Sequence, residues 1–323
     1  MIIESIVLYS IIFILLLLIE ITFLNVAKKL GITDVSTCNP STHKVIITAG
    51  GIIFPFSVMT WGCFYGFHFH LFLLGLLILC ATCLIDDIKE TPIKYRLIAQ
   101  FCAVALLIFQ FYNWSDINIW LFSLLIIMGV AIINEFNFMD GIDGITGFYA
   151  LSVLIPLMML NYKINFIDWA FLIILLFGIL IFSFFNLTSF LRCFAGDTGS
   201  VCIAYIFTFL IGGAIICGDS VWWIMFIAVY AADASFTILT RIAHKENLFS
   251  KHQSHLYQMM AINLKMPHIA ISLSYFSLQL LISLGLIYLP VNKAIYSICI
   301  IIALGILYFT LRMKISGGKR LLS

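Results

Sequence analysis

From Met266 to Asn292 the chain carries no Asp, Glu, Lys or Arg, and the same is true from Thr198 to Gly218 and from Trp169 to Leu191. About 20 apolar residues suffice for a helix to cross the hydrocarbon core of a bilayer. Inside lipid, each backbone N–H and C=O must find its partner within the protein, which leaves helices or closed barrels. Apolar runs of this length select helices. Composition agrees: 63% of the 323 residues are hydrophobic and 10% are charged, against about 25% charged in an average soluble domain. A net charge of +2 offers no dense basic face for a nucleic acid.

The sequence predicts an all-α integral membrane protein, one polytopic domain over 1–323. We read eleven spans: 3–27, 46–66, 69–86, 96–112, 117–134, 145–161, 166–187, 199–217, 220–240, 269–289 and 294–313. The glycine-rich second span is the weakest, and a count of ten is the alternative. Span 1 is not a cleavable signal peptide: it is long, begins with Glu4 and ends at Lys28-Lys29. Cys80, Cys102, Cys202, Cys217 and Cys299 lie in apolar runs and act there as small hydrophobes. The Cys80/Cys83 spacing fits helix packing better than a metal or redox pair.

Basic residues orient the bundle. With 28–45 on the cytoplasmic side and spans alternating, only Lys163 and Lys293 of the 17 Lys and Arg fall outside. That asymmetry is the positive-inside pattern. It places the N-terminus outside and the C-terminus inside. The longer inner loops then hold nearly all the polar chemistry.

Four inner segments stand out. In "LIDDIKETP" Asp86, Asp87 and Glu90 offer hard oxygens suited to Mg²⁺ or Mn²⁺. The plainer reading is a solvated helix end neutralised by Lys89 and Lys94. In "NEFNFMDGIDG" Asn137, Asp140 and Asp143 are three apart and would share a face if the segment is helical; a turn built on Asp and Gly is the alternative. "FAGDTGS" puts Asp197 between two glycines, with Ser200 as a candidate cap and free N–H groups for phosphate. "SKHQSHLYQ" holds His252 and His255 in a basic loop with Arg241, fit for a diphosphate or for anionic headgroups. Asp233 and Glu20 are ionisable groups inside spans, each a functional candidate by default. Carboxylates that hold a divalent metal, beside basic groups that hold phosphates, are the equipment of phosphoryl transfer.

The ordered set "DD" (86–87), "NFMDGIDG" (137–144), "GDTGS" (196–200) and "HQSHLYQ" (252–258) resembles the polyprenyl-phosphate N-acetylhexosamine-1-phosphate transferases, of the glycosyltransferase family 4 type. The resemblance implies that a UDP-N-acetylhexosamine gives its sugar-1-phosphate to undecaprenyl phosphate at the bacterial inner membrane, releasing UMP. It implies Mg²⁺, with Asp197 and Asn137 as ligands, and Asp86 and Asp87 positioning or deprotonating the lipid phosphate or touching the metal. Asp140 would support the catalytic centre. Asp143 and Phe194 would hold uridine, His252 and His255 would neutralise the diphosphate, and Lys44 and Arg241 would assist. The "HQSHLYQ" form is similar to the O-antigen or capsule branch, whose donors include N-acetylglucosamine and 6-deoxy sugars such as N-acetylfucosamine. A monomer and a homodimer both remain open. Two positions depart from the family pattern: Glu90 stands where an aspartate is common, and Ala49 where an arginine is common.

Two other readings compete. A transporter would use Asp233 and Glu20 as proton relays, but expects polar groups at mid-membrane and access from both faces. A scaffold gives no reason for the gathered aspartates and histidines.

Overall fold

A computed structural model of the protein describes residues 2–35, 45–113, 115, 117–246 and 253–315. The chain is helical as expected. Among the described residues, ten helices are long and apolar enough to cross a membrane. The strands are two three-residue pieces, β1 (Thr33–Val35) and β2 (Val45–Ile47), paired antiparallel.

The eleventh expected span, 46–66, is built differently. Its first residues form β2 and a 3₁₀ turn, Gly50–Ile52, before α2 (Ile53–Tyr65) begins. The apolar helical stretch Gly50–Tyr65 is shorter than a spanning helix, because the backbone at 47–51 is committed elsewhere. Ile47 N–H donates to Arg192 C=O at 3.2 Å and Phe194 N–H to Ile47 C=O at 2.8 Å. Gly50 and Gly51 N–H donate to Phe194 and Ala195 C=O.

Two units divide the chain: Met1–Asn137 with Asn165–Gly213, and Phe138–Ile164 with Ala214–Ser323. The first holds α1 (Ile2–Leu30), α2, α3 (His70–Ile88), α4 (Ile93–Phe111), nearly all of α5 (Ile119–Met139), α7 (Trp169–Leu187) and most of α8 (Gly196–Cys217). In it α2 runs against α7: Phe54 meets Phe182 while Trp61 meets Phe171. Phe72, Phe171, Tyr205 and Phe209 make its aromatic centre. Gly178 lets Ser57 approach; a Cβ there would lie 2.1 Å from the hydroxyl oxygen.

The second unit holds α6 (Ile145–Ile164), α9 (Ala228–Ala243), α10 (Leu256–Ile262), α11 (His268–Tyr288) and α12 (Lys293–Ile315). Helices α6 and α11 run side by side in the same direction, since Tyr149 meets Gln279 and Lys163 meets Ile287. A 3₁₀ stretch, Val221–Ile227, leads into α9. That junction frees backbone groups that buried side chains must satisfy. Gln279 accepts from Val229 N–H at 2.9 Å and donates to Met225 C=O at 3.0 Å, and the Tyr149 hydroxyl accepts from Tyr230 N–H.

Candidate active site

In the first unit the site grows from the last turn of α3, the first turn of α4, the C-terminal end of α5 and the start of α8. The "FAGDTGS" segment lies along β2, with Cys193 bridged to Ile47. Glycines make the approach close: a Cβ on Gly51 would stand 2.2 Å from the Gly199 Cα, and one on Gly196 within 2.8 Å of both Asp87 carboxylate oxygens. Ala49, where the family pattern has arginine, is fully buried in the left-handed region at φ 62.

Asp87 caps α8 from another helix. Its Oδ1 accepts from Asp197 N–H at 3.0 Å, and its Oδ2 from Thr198 N–H at 3.0 Å and the Thr198 hydroxyl at 2.6 Å. The expected capping residue, Ser200, does not cap. Helix α8 begins at Gly196, so Ser200 is inside it and donates to Gly196 C=O. The two N–H groups that could have met a phosphate are taken by Asp87, a fixed anion at the positive end of the helix.

Asp86 points elsewhere. It accepts from Thr91 N–H at 2.7 Å and the Thr91 hydroxyl at 2.5 Å. Arg96 joins it to Asp197, at 3.1 Å from Asp86 Oδ2 and 2.5 Å from Asp197 Oδ2. Asn137 Nδ2 donates to Asp197 Oδ1 at 2.8 Å and to the Ser200 hydroxyl at 3.1 Å. Two carboxylates therefore meet one guanidinium, and the Asn137 amide holds one of them, Asp197, from its other oxygen. Sequence reading missed Arg96, which it counted only as an inner-loop cation. It assigned neutralisation to Lys89 and Lys94, yet both are exposed and Lys94 lies over the Tyr95 ring. Glu90 is exposed too. Three cations between Asp86 and Arg96, in a chain only 10% charged, were the available signal. Phe194 is half-buried, its backbone fixed by Ile47 and Gly50.

In the second unit, Asp140 and Asp143 lie in the turn between α5 and α6. The helix stops at Met139, so they do not continue the face that carries Asn137. Gly144, at φ 81, permits the turn. Asp140 accepts from the Thr146 hydroxyl. Asp143 Oδ2 lies 2.9 Å from His268 Nδ1, and its carbonyl accepts from the Ser272 hydroxyl. His268, the first residue of α11, also escaped sequence reading. Arg241, near the end of α9, is buried and its Nε is paired to Glu246 at 3.0 Å. His255 is 2% exposed. Its ring makes stacked contacts with those of Phe138 and Tyr257, with Nδ1 3.7 Å from Asp233. Lys44 and His252 lie outside the described residues.

Among the described residues no three His, Cys, Asp or Glu gather as a metal cage. Mg²⁺ does not require one, because it is commonly held by one or two carboxylates together with substrate phosphates. Asp86 and Asp197, both within reach of one cation, with Asn137 alongside, fit that mode.

These features define a multi-pass membrane protein that gathers carboxylates around a cation at the end of its helices. Residues 69–216 match the model of the family described as glycosyl transferase family 4. The matched stretch includes Asp86, Asp87, Arg96, Asn137, Asp140, Asp143, Phe194 and Asp197, and ends before Arg241 and the histidine loop. A search of curated proteins gave no match.

Proposed function

We propose that this transferase moves N-acetylhexosamine-1-phosphate from a UDP-sugar to undecaprenyl phosphate, on the cytoplasmic side of a bacterial plasma membrane. The observation that carries the reading is the cluster in which Arg96 bridges Asp86 and Asp197 while Asn137 holds Asp197, within the family-matched stretch. An oxygen of the lipid phosphate attacks the β-phosphorus. A new P–O bond forms there, the bond to the bridging oxygen breaks, and UMP leaves with that electron pair. A phosphate monoester is largely ionised near neutral pH, so direct displacement needs little help from a base.

Asp197, Asn137 and Asp86 would hold Mg²⁺, or Mn²⁺ in its place. The ion would supply charge neutralisation for the diphosphate. Asp87 keeps Asp197 in place by capping α8. Arg96 supplies positive charge where the substrate phosphates gather. By the family resemblance Asp140 would support the catalytic centre. Asp143, oriented by His268, would accept from the uracil N–H, and Phe194 would stack on the base. His252 and His255 would neutralise the diphosphate, His255 from a buried position, and Lys44 and Arg241 would assist. The histidine-loop pattern favours N-acetylglucosamine or a 6-deoxy relative as the sugar, and a lipid-linked O-antigen or capsule as the destination.

The test uses purified protein in detergent with undecaprenyl phosphate and a panel of UDP-sugars, following UMP with and without EDTA. UMP release that needs both the lipid and a divalent cation, with one preferred sugar, is expected. Folded protein that neither binds nor consumes any UDP-sugar would overturn the reading.

A further inference from the structure

Asp233 lies on α9, buried to 3% exposure, and the transfer reaction as described gives it no work. Its carboxylate nevertheless gathers four donors and an imidazole. Oδ1 accepts from Leu256 N–H at 2.8 Å and from the Thr237 hydroxyl at 3.2 Å. Oδ2 accepts from the Tyr275 hydroxyl at 2.7 Å and from Tyr257 N–H at 3.3 Å. His255 Nδ1 stands 3.7 Å from Oδ1. A carboxylate offers about four lone-pair sites, and these donors use them. An asparagine would keep one acceptor and turn an NH₂ group towards donors.

The same loop is gripped from its other side. Arg312 on α12 donates to Ser254 C=O at 2.8 Å and to the Tyr308 hydroxyl at 2.6 Å. Tyr308 lies 2.9 Å from the Thr237 hydroxyl. Because Thr237 gives its proton to Asp233, Tyr308 donates to Thr237. A ring of donors thus closes from Arg312 through Tyr308 and Thr237 to Asp233, with residues 254–257 completing it. Next in the chain, the Tyr257 hydroxyl donates to Phe138 C=O at 3.0 Å. That hydroxyl sits 2.2 Å from where a Gly141 Cβ would be. The position of Tyr257 therefore sets how the Phe138–Gly144 turn, with Asp140 and Asp143, is supported.

We infer that Asp233 is a positioning residue of the transferase, fixing His255 and, through Tyr257, the turn that carries Asp140 and Asp143. The placement stands on geometry alone; its consequence for catalysis rests on the proposed sugar-phosphate transfer. Groups held only through other groups still matter, because an error of about 1 Å in a reacting group costs on the order of a hundredfold in rate.

The experiment compares wild type with Asp233→Asn in detergent by hydrogen–deuterium exchange and by UMP release. Exchange at the Leu256 and Tyr257 amides should rise at least about tenfold, as protection by the carboxylate is lost, while α6 and α11 keep theirs. Turnover should fall by about a hundredfold. Combined with His255→Gln, Asp233→Asn should cost less than it does alone, since coupled residues are not additive. Unchanged exchange at those two amides in the folded variant would overturn the inference, and so would full additivity with His255→Gln. If Asp233→Asn does not fold, Tyr275→Phe and Arg312→Met read the same exchange, and protection kept in both would overturn it. Should wild type release no UMP, the exchange arm still decides the placement, and the proposed reaction alone falls.

Discussion

Asp87 in the first unit and Asp233 in the second perform one mechanical task in different surroundings. Each reaches from one helix to cap the start of another, taking two successive N–H groups, with one hydroxyl at Asp87 and two at Asp233. Around Asp87 the neighbours are charged and partly open: Arg96 and Asp197 keep 25% and 24% of their side-chain surface. Around Asp233 the neighbours are Tyr275, Thr237 and the buried His255. The contrast separates two uses of a carboxylate cap. One holds a loop whose charged side chains stay partly open to solvent, as the proposed metal–diphosphate site would require. The other locks a loop in a dry setting, where an unmet polar group is costly.

Substitutions can break or sharpen this contrast. The largest effect is expected from Asp197→Asn, which removes charge from the open site without disturbing its cap. Transfer should fall on the order of a thousandfold, read as the initial rate of UMP release. Retained activity would move the reacting centre away from Asp197. Asp87→Asn should cost less, about tenfold to a hundredfold in turnover, with a loss of about 1 kcal/mol in stability as a weakened cap. Both are measurable on one preparation by rate and thermal unfolding.

A finer comparison lies within the α5–α6 turn. Asp140→Asn should mainly lower kcat, and Asp143→Asn should mainly raise KM for the UDP-sugar by about tenfold, if as proposed one supports the centre and the other holds uracil. Identical changes in the two variants would dissolve that division. Arg96→Gln tests exchange of partners directly. If Arg96 and a divalent cation share Asp86 and Asp197, the variant should need about two- to fivefold less Mg²⁺ for half-maximal binding, the worth of a partly exposed ion pair. Isothermal titration with Mg²⁺ alone reads this without activity.

The smallest effect on catalysis is expected at Glu20. It is fully buried on α1, and neither oxygen has a hydrogen-bond partner among the described residues. Glu20→Leu should raise thermal stability by about 1–3 kcal/mol and leave transfer unchanged. A loss of transfer would give Glu20 a role that the fold does not suggest.

Much of the molecule was legible because lipid imposes a simple rule on length and polarity. Nine of the eleven expected spans meet single spanning helices, and that at 220–240 meets the composite Val221–Ala243. Only 46–66 meets a shorter apolar helix, Gly50–Tyr65, because strand pairing with 192–194 is a tertiary contact that hydropathy does not encode. The aspartates of the site announced themselves by rarity. Their partners did not: Arg96 looked like any inner cation and His268 like any helix start. Asp233 was noticed as an intramembrane charge, yet its donors come from α9, α10 and α11, 4 to 42 residues away. That saturation also weakens the transporter reading, since a carboxylate held by four donors is poorly placed to relay protons.

The most direct measurement follows the β-phosphate itself. A UDP-sugar carrying a radiolabelled β-phosphate is given to the purified protein with undecaprenyl phosphate and Mg²⁺, and the lipid and nucleotide are separated. The account predicts that the label moves to the lipid fraction while unlabelled UMP accumulates in equal amount. Label left in UDP while sugar appears on the lipid would contradict it, because the bond broken would then be the sugar–oxygen bond and not the bond at phosphorus.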